Sequence, residues 1–288
     1  TEDCNACPTP CKDEDHPHYP SYLKIDHELP LLHSMKPYIR HVLISTGQDD
    51  WDAHIDSDPA QLAHHMQKAI DAGQQRLRDE NGGKDVPRIV LTNSSRKAET
   101  WDGPGWQVVI LPDQIVVNDV TPEQCDDFFE AFLRPAVGAV FEGPVTTTVL
   151  DASNKELQVE KDGGRGSSTV SISTANAAIM ICSHGKRDNR CSKTAPILKK
   201  QFLQCLRQKD IYGDAEGDVE IWLVSHIGGH KFAGNVIVHR SEPEEKTSMA
   251  IWYGRVEPCH APAIVEATVE RGEVIRELYR GAMLGSFD

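Results

Sequence analysis

The chain has 288 residues, 39% hydrophobic and 6% aromatic, with a formal charge of −14. These proportions suit a soluble globular protein of one large domain or two small ones. The acidic balance argues against nucleic acid or anionic membrane as a main partner, since both would repel it, and no apolar run is long enough to cross a bilayer.

Residues 1–37 are polar, rich in Pro, Asp and His, and without periodicity, the composition of an irregular arm. Cys4-x-x-Cys7 and Cys11, with His16 and His18 beyond, could supply ligands to an extra zinc. The spacing is less regular than a zinc ribbon and no second CxxC answers it, so a flexible tail with free thiols is the plainer reading.

A first α/β module is expected over residues 38–141. Tyr38–Thr46 reads as a strand, and Asp58-Pro59 opens a helix with Leu62, Met66, Ala69, Ile70 and Leu77 at helical spacing, ended by Asn81-Gly82-Gly83. Ile89–Leu91, Val108–Leu111 and Ile115–Val117 follow as strands, and Thr121-Pro122-Glu123 opens a second helix carrying Phe128, Phe129, Phe132 and Leu133. Residues 142–173 hold the Gly/Ser/Thr-rich run around Gly163-Gly164-Arg165-Gly166 and read as a linker.

The second module, 174–288, repeats the plan. A strand at Ala177–Ile181 leads through a cysteine loop to a helix beginning near Ala195-Pro196, with Leu198, Phe202, Cys205 and Leu206 on one face. The strand Val219–Val224 precedes a histidine loop. Val236–Val238 and Met249–Tyr253 are the next strands. A helix from about Pro262 follows, and then a second helical stretch holding Val274, Ile275 and Leu278. The fold class is therefore α/β, with two β-α-β-β-β-α modules of thioredoxin-like type.

The chain's 8 cysteines are too few for a disulfide scaffold. Cys125 and Cys205 read as core residues, and Cys259 sits in a Pro-Cys-His-Ala-Pro turn with no evident role. Cys182 and Cys191 bound one loop, and His226 and His230 flank Gly228-Gly229 in the other. Two adjacent glycines make a helix between the histidines improbable, and no Glu follows His226, so the HExxH hydrolase reading fails. Zinc accepts two Cys and two His. The wide loop between the cysteines better suits a 2Fe–2S cluster, with thiolates on one iron and imidazoles on the other, as in Rieske centres, although the Rieske spacings are absent. A metal-free thiol oxidoreductase and a zinc-stabilised interaction module remain alternatives.

The chain also resembles the sucrase/ferredoxin-like family. The residues that carry the likeness are Ile181-Cys182-Ser183-His184, Arg187-Asp188, Arg190-Cys191, Thr194-Ala195-Pro196, His226–Asn235 and Trp252–Val256, with His27–Leu32 and Val109–Pro112 in the first half. The resemblance implies a thioredoxin-like ferredoxin with one 2Fe–2S cluster on Cys182, Cys191, His226 and His230. The family's name includes sucrase, yet no pair of carboxylates stands where a glycosidase needs one. With four ligands present, His184 is expected to pack under the loop or hydrogen-bond to it. Arg187, Asp188 and Arg190 form either a solvated loop or a patch that docks a partner and positions the cysteines. Lys231 would favour a reduced cluster unless it points to solvent, and Gly234 and Asn235 are expected to shape the second loop.

The resulting expectation is a proton-coupled electron carrier in cellular redox homeostasis rather than an enzyme, with both irons fully ligated and no open position for a substrate. Its partners would be a redox protein and the cluster-assembly machinery, with no nucleic acid and no membrane. A cytoplasmic location is expected, with a mitochondrial one as the alternative if a targeting segment has been removed before Thr1.

Overall fold

The run Arg-His-Val-Leu-Ile-Ser has no polar alternation, and in the computed structural model it forms a strand buried along its whole length, β1 (Arg40–Ser45). The structure describes residues 17–98, 103–134, 156–158, 169–173, 175–213, 218–242 and 247–287. The chain forms two units, one of Tyr38–Gly47 and His54–Ser173, the other of Thr1–Pro37, Gln48–Ala53 and Thr174–Asp288.

In the first unit β1 is followed by α1 (Leu62–Glu80), β2 (Ile89–Ser94), β3 (Trp106–Leu111), β4 (Ile115–Val120) and α2 (Cys125–Phe128), which runs on as a π-helical turn through Leu133. β1 pairs parallel with β2 and antiparallel with β3, and β3 pairs antiparallel with β4. Parallel neighbours need a crossover, which α1 supplies. Its Leu62, Met66, Ile70 and Leu77 join Val42, Ile44, Val108, Ile110 and Phe129 in one apolar core. α1 starts at Leu62 and not at Pro59, because the Asp58 carboxylate accepts the Ala60 N–H and closes a separate turn first.

The stretch expected as a linker is partly sheet. β5 (Glu156–Gln158) pairs with β6 (Thr169–Ile172), and β6 pairs with β4. The β-branched Thr169, Val170 and Ile172 outweigh the flanking glycines and serines. Residues 142–155 and 159–168 lie outside the described residues.

The second unit runs β7 (Ala177–Cys182), α3 (Asn189–Gln208), β8 (Val219–Val224), β9 (Val236–Glu242), β10 (Thr247–Tyr253) and α4 (Ala261–Ile264). β7 and β8 are parallel, while β7–β9 and β9–β10 are antiparallel. Leu198, Phe202 and Leu206 of α3 pack with Ile179, Ile181, Val236, Val238 and Ile251. The architecture is mixed α/β, and the two units share one strand and helix order.

In this unit two further features depart from expectation. α3 begins at Asn189 and not near Ala195, because the Asp188 carboxylate accepts the Arg190 N–H and caps it. Pro196 consequently lies inside the helix. A proline there costs about 3 kcal/mol, which burial of the apolar face offsets. The cysteine loop therefore ends at Asp188 and is tighter than the spacing suggested. The helix expected around Val274, Ile275 and Leu278 is a single 3-10 turn, Arg276–Leu278, leading to an edge strand, β11 (Tyr279–Ala282), antiparallel to β10. Its apolar residues do pack on the core, but their period is not helical.

Residues 17–37 contain no helix or strand, yet they are fastened within the second unit. The Tyr19 hydroxyl donates to Val256 O at 2.6 Å, and Asp26 N–H donates to Lys231 O at 2.8 Å. Cys4, Cys7, Cys11 and His16 lie outside the described residues. Among the described residues no helix is long and apolar enough to cross a membrane.

Candidate metal centre

Cys182 is the last residue of β7, and its N–H donates to Asn235 O at 3.1 Å. Cys191 lies in the first turn of α3, where the helix dipole favours negative charge. Both are buried, at 1% and 0% exposure. A hydrogen bond from Cys191 holds the Cys182 thiol well below the usual range, aided by His226 and the Ile227 N–H and opposed by burial. Cys191 is pushed up in turn, by its bond to Cys182 and by burial. The two shifts run in opposite directions, which makes Cys182 the readier thiolate.

His226 follows β8, and the chain turns through Gly228 and Gly229 at φ +86° and +71°, a region that glycine enters without steric cost. This brings the His226 and His230 rings to 5.4 Å, 34° apart in plane. In each ring Nδ1 is buried and, among the described residues, has no hydrogen-bond partner. An orphaned buried ring nitrogen is costly, and here two stand side by side next to a thiol pair. The other edge of His230 faces outward: its side chain is 44% exposed, with Nε2 3.9 Å from Asp188 Oδ2. Burial lowers the His230 pKa, Asp188 pulling the other way. Among the described residues no three His, Cys, Asp or Glu side chains are grouped as one metal ion would need. The four donors stand as two pairs.

His184 is fully engaged elsewhere. Its Nδ1 accepts the His226 N–H at 3.0 Å, so the proton is on Nε2, which donates toward Trp51 O and Asp52 O at 3.0 and 2.9 Å. Trp51 meets the ring edge-on at 5.9 Å. The segment 48–53 is tied to the cysteine loop again by Ser183 Oγ donating to Asp49 O at 2.6 Å and by Lys186 Nζ to Asp52 at 2.8 Å. Nothing in the composition of that polar stretch marked it as part of the site; the lone Trp51 was the only signal.

Asp188 caps α3, takes a two-pronged bond from Arg190 at 2.9 and 2.8 Å, and faces His230. Arg190, and less strongly His230, hold its carboxyl below the usual range. Arg190 also donates to Lys24 O at 3.0 Å, and the exposed Arg187 reaches Ala53 O at 3.3 Å. Lys231 is exposed, its Nζ 4.9 Å from the Phe232 ring centre. Asn235 shapes the second loop: its Nδ2 donates to Gly229 O at 2.9 Å. Its Oδ1 accepts from Arg280 at 2.7 Å, a residue of β11 that sequence reading did not single out. The remaining described cysteines are buried, and burial pushes Cys125 up to about 12.

Residues 31–281 match the model of the Sucrase/ferredoxin-like family. Actin patches distal protein 1 of Saccharomyces cerevisiae is 33% identical over 273 residues, 91% of this chain and 79% of that protein. Altered inheritance of mitochondria protein 32 of Debaryomyces hansenii is 32% identical over 260 residues, 86% of this chain and 83% of that protein. A thioredoxin-like [2Fe-2S] ferredoxin from Aquifex aeolicus, 23% identical, overlays 32% of this chain and 78% of its own with a TM-score of 0.20, too slight a likeness to bear weight.

Proposed function

The chain belongs to the Sucrase/ferredoxin-like family, and we propose that it is an electron carrier holding one 2Fe–2S cluster on Cys182, Cys191, His226 and His230. The observation that carries this reading is the pair of buried, unpartnered Nδ1 atoms of His226 and His230 beside the Cys182–Cys191 pair. Two soft thiolates and two imidazoles are the donor set of a 2Fe–2S centre shared between two irons. When bound, such a cluster supplies a one-electron acceptor and donor.

The chain's own residues do the rest. We read both units as thioredoxin-like, since in each a parallel β-α-β is followed by two antiparallel strands. In that scaffold β7 and α3 fix the cysteines, and the glycine turn fixes the histidines. Burial of the cysteines keeps water from the thiolate end. The exposed edge of His230 is the side at which electrons and protons pass, with Asp188 beside it to hold a proton on Nε2. Exposed Arg187, whose charge reaches His230, and the neighbouring Lys231 suit docking of a redox protein, and cluster-assembly proteins would load the site. The name of the Debaryomyces hansenii relative speaks of inheritance of mitochondria, which keeps a mitochondrial location beside the cytoplasmic one.

One observation favours a thiol oxidoreductase: the lowered Cys182 pKa, caused first by the hydrogen bond from Cys191. Burial of both sulfurs opposes it, because thiol exchange needs access. Purification without air separates these readings. Two irons, two acid-labile sulfides and sulfide-to-iron bands per chain are expected; a colourless chain with zinc or no metal overturns the proposal.

A further inference from the structure

Arg280 is 1% exposed, and every acceptor it meets is neutral: Ser34 Oγ at 2.9 Å, Ser34 O at 3.1 Å, Gly228 O at 3.3 Å and Asn235 Oδ1 at 2.7 Å. Among the described residues no carboxylate pairs with it. A buried cation without an anion is strongly unfavourable, so a folded chain that keeps one has a counter-charge nearby. Phe232 and Trp252 close over the guanidinium, with ring centres at 5.6 and 5.9 Å, which adds cation–π attraction but no negative charge.

The backbone shows where that charge lies. Asn235 accepts Arg280 on its side chain and the Cys182 N–H on its carbonyl, so one residue separates the guanidinium from the thiolate strand. The same guanidinium holds Gly228 O, inside the turn that pairs the histidines. Room has been left for it. A Cβ on Gly229 would collide with its terminal nitrogens, and one on Gly254 would come within 2.8 Å of its Cδ. Burial lowers the Arg280 pKa to about 10, and the charges acting against that fall are Cys182 and Cys191.

We infer that Arg280 is the fixed counter-cation of the Cys/His site, a positioning residue that holds the histidine loop and favours the site's electron-rich state. This rests on the electron-carrier reading above. The electron comes from a donor protein, and no bond forms or breaks at Arg280. Its charge is constant and acts through space, so the site gains an electron more readily than it would beside a neutral residue. Lys231 carries charge too, but it sits in water, where screening removes most of its effect.

The test is the midpoint potential of the cluster-loaded wild type, Arg280→Lys and Arg280→Gln, at one pH and ionic strength, with the visible spectrum recorded for each. Arg280→Gln should lower the equilibrium constant for one-electron reduction at least about tenfold, a fall of about 59 mV. Arg280→Lys should stay within about threefold of wild type, about half that interval, and the bands should not change. Should Arg280→Gln fail to take up the cluster while Arg280→Lys retains it, the requirement for charge stands. A Gln variant with the wild-type potential, equal falls in both variants, or loss of the cluster from both would show that packing and not charge is what Arg280 supplies, and would overturn the inference. The wild-type spectrum separates this from failure of the underlying reading: a colourless wild type sinks both, while a coloured one with an unmoved Gln variant sinks only the role of Arg280.

Discussion

His184 Nδ1 accepts the backbone N–H of His226 at 3.0 Å, and through that bond the cysteine loop sets the height of the histidine loop. The same ring donates from Nε2 to the carbonyls of Trp51 and Asp52, so it joins three segments and has no nitrogen left for a metal. His184→Phe would leave the His226 N–H unpaired in a poorly solvated place. It should cost about 1–3 kcal/mol in denaturant unfolding. Cluster-loaded His184→Gln should keep the wild-type visible bands. Bands that shift as they do on changing a ligand would contradict this assignment.

Asp188 unites the first turn of α3, Arg190 and the outer edge of His230. Asn also caps helices, whereas Ala does not, so Asp188→Ala should lose about 1 kcal/mol more stability than Asp188→Asn. Thermal melts of the two variants check the difference. Equal melts would mean that the cap contributes nothing.

Much of this was legible in the sequence, for physical reasons. β1, β7 and β8 are short apolar runs bounded by polar turns, and the Cys and His pairs sit where such runs end, so the strands and the loops could be read locally. The start of α3 is hard to place from sequence because Pro196 is a strong start signal and Asp188 sits in a polar run, although Asp188-Asn189 carries its own capping signal. Arg280 was invisible: a single arginine in Leu-Tyr-Arg-Gly reads as a surface charge, and its partner Ser34 lies 246 positions away in sequence. Likewise the 48–53 segment enters the site only through long-range hydrogen bonds, which no periodicity encodes.

His239 on β9 is 2% exposed, and burial lowers its pKa from 6.5 to about 4. The unfolded chain takes up a proton below pH 6.5 that the folded chain refuses until about pH 4. Stability is therefore full above pH 6.5 and declines as pH falls through this window, by on the order of 3 kcal/mol in total. Urea unfolding at several pH values should show that decline, and His239→Leu should flatten most of it. An unchanged slope in the variant would assign the acid sensitivity to other groups.

As the proposed ligands, His226 and His230 should make the potential pH-dependent. Added negative charge at the site raises the pKa of the outward ring nitrogen, so electron uptake draws a proton, and the potential should fall by about 59 mV per pH unit for one proton per electron. Asp188 favours the protonated form of His230, so Asp188→Asn should move this window to lower pH. His226→Cys and His230→Cys should lower the potential, because thiolate donates more charge than imidazole. Voltammetry from pH 6 to 10 reads all three effects. A flat potential in the wild type would mean that no ring proton follows the electron.

In the proposed centre, two sulfurs would hold one iron and two ring nitrogens the other. Mössbauer spectroscopy of the oxidised, iron-57-enriched protein tests it most directly. Two inequivalent ferric sites in equal amount are predicted, and converting both His226 and His230 to Cys should merge them toward one. A single doublet in the wild type, or no iron above background after anaerobic purification, would contradict it.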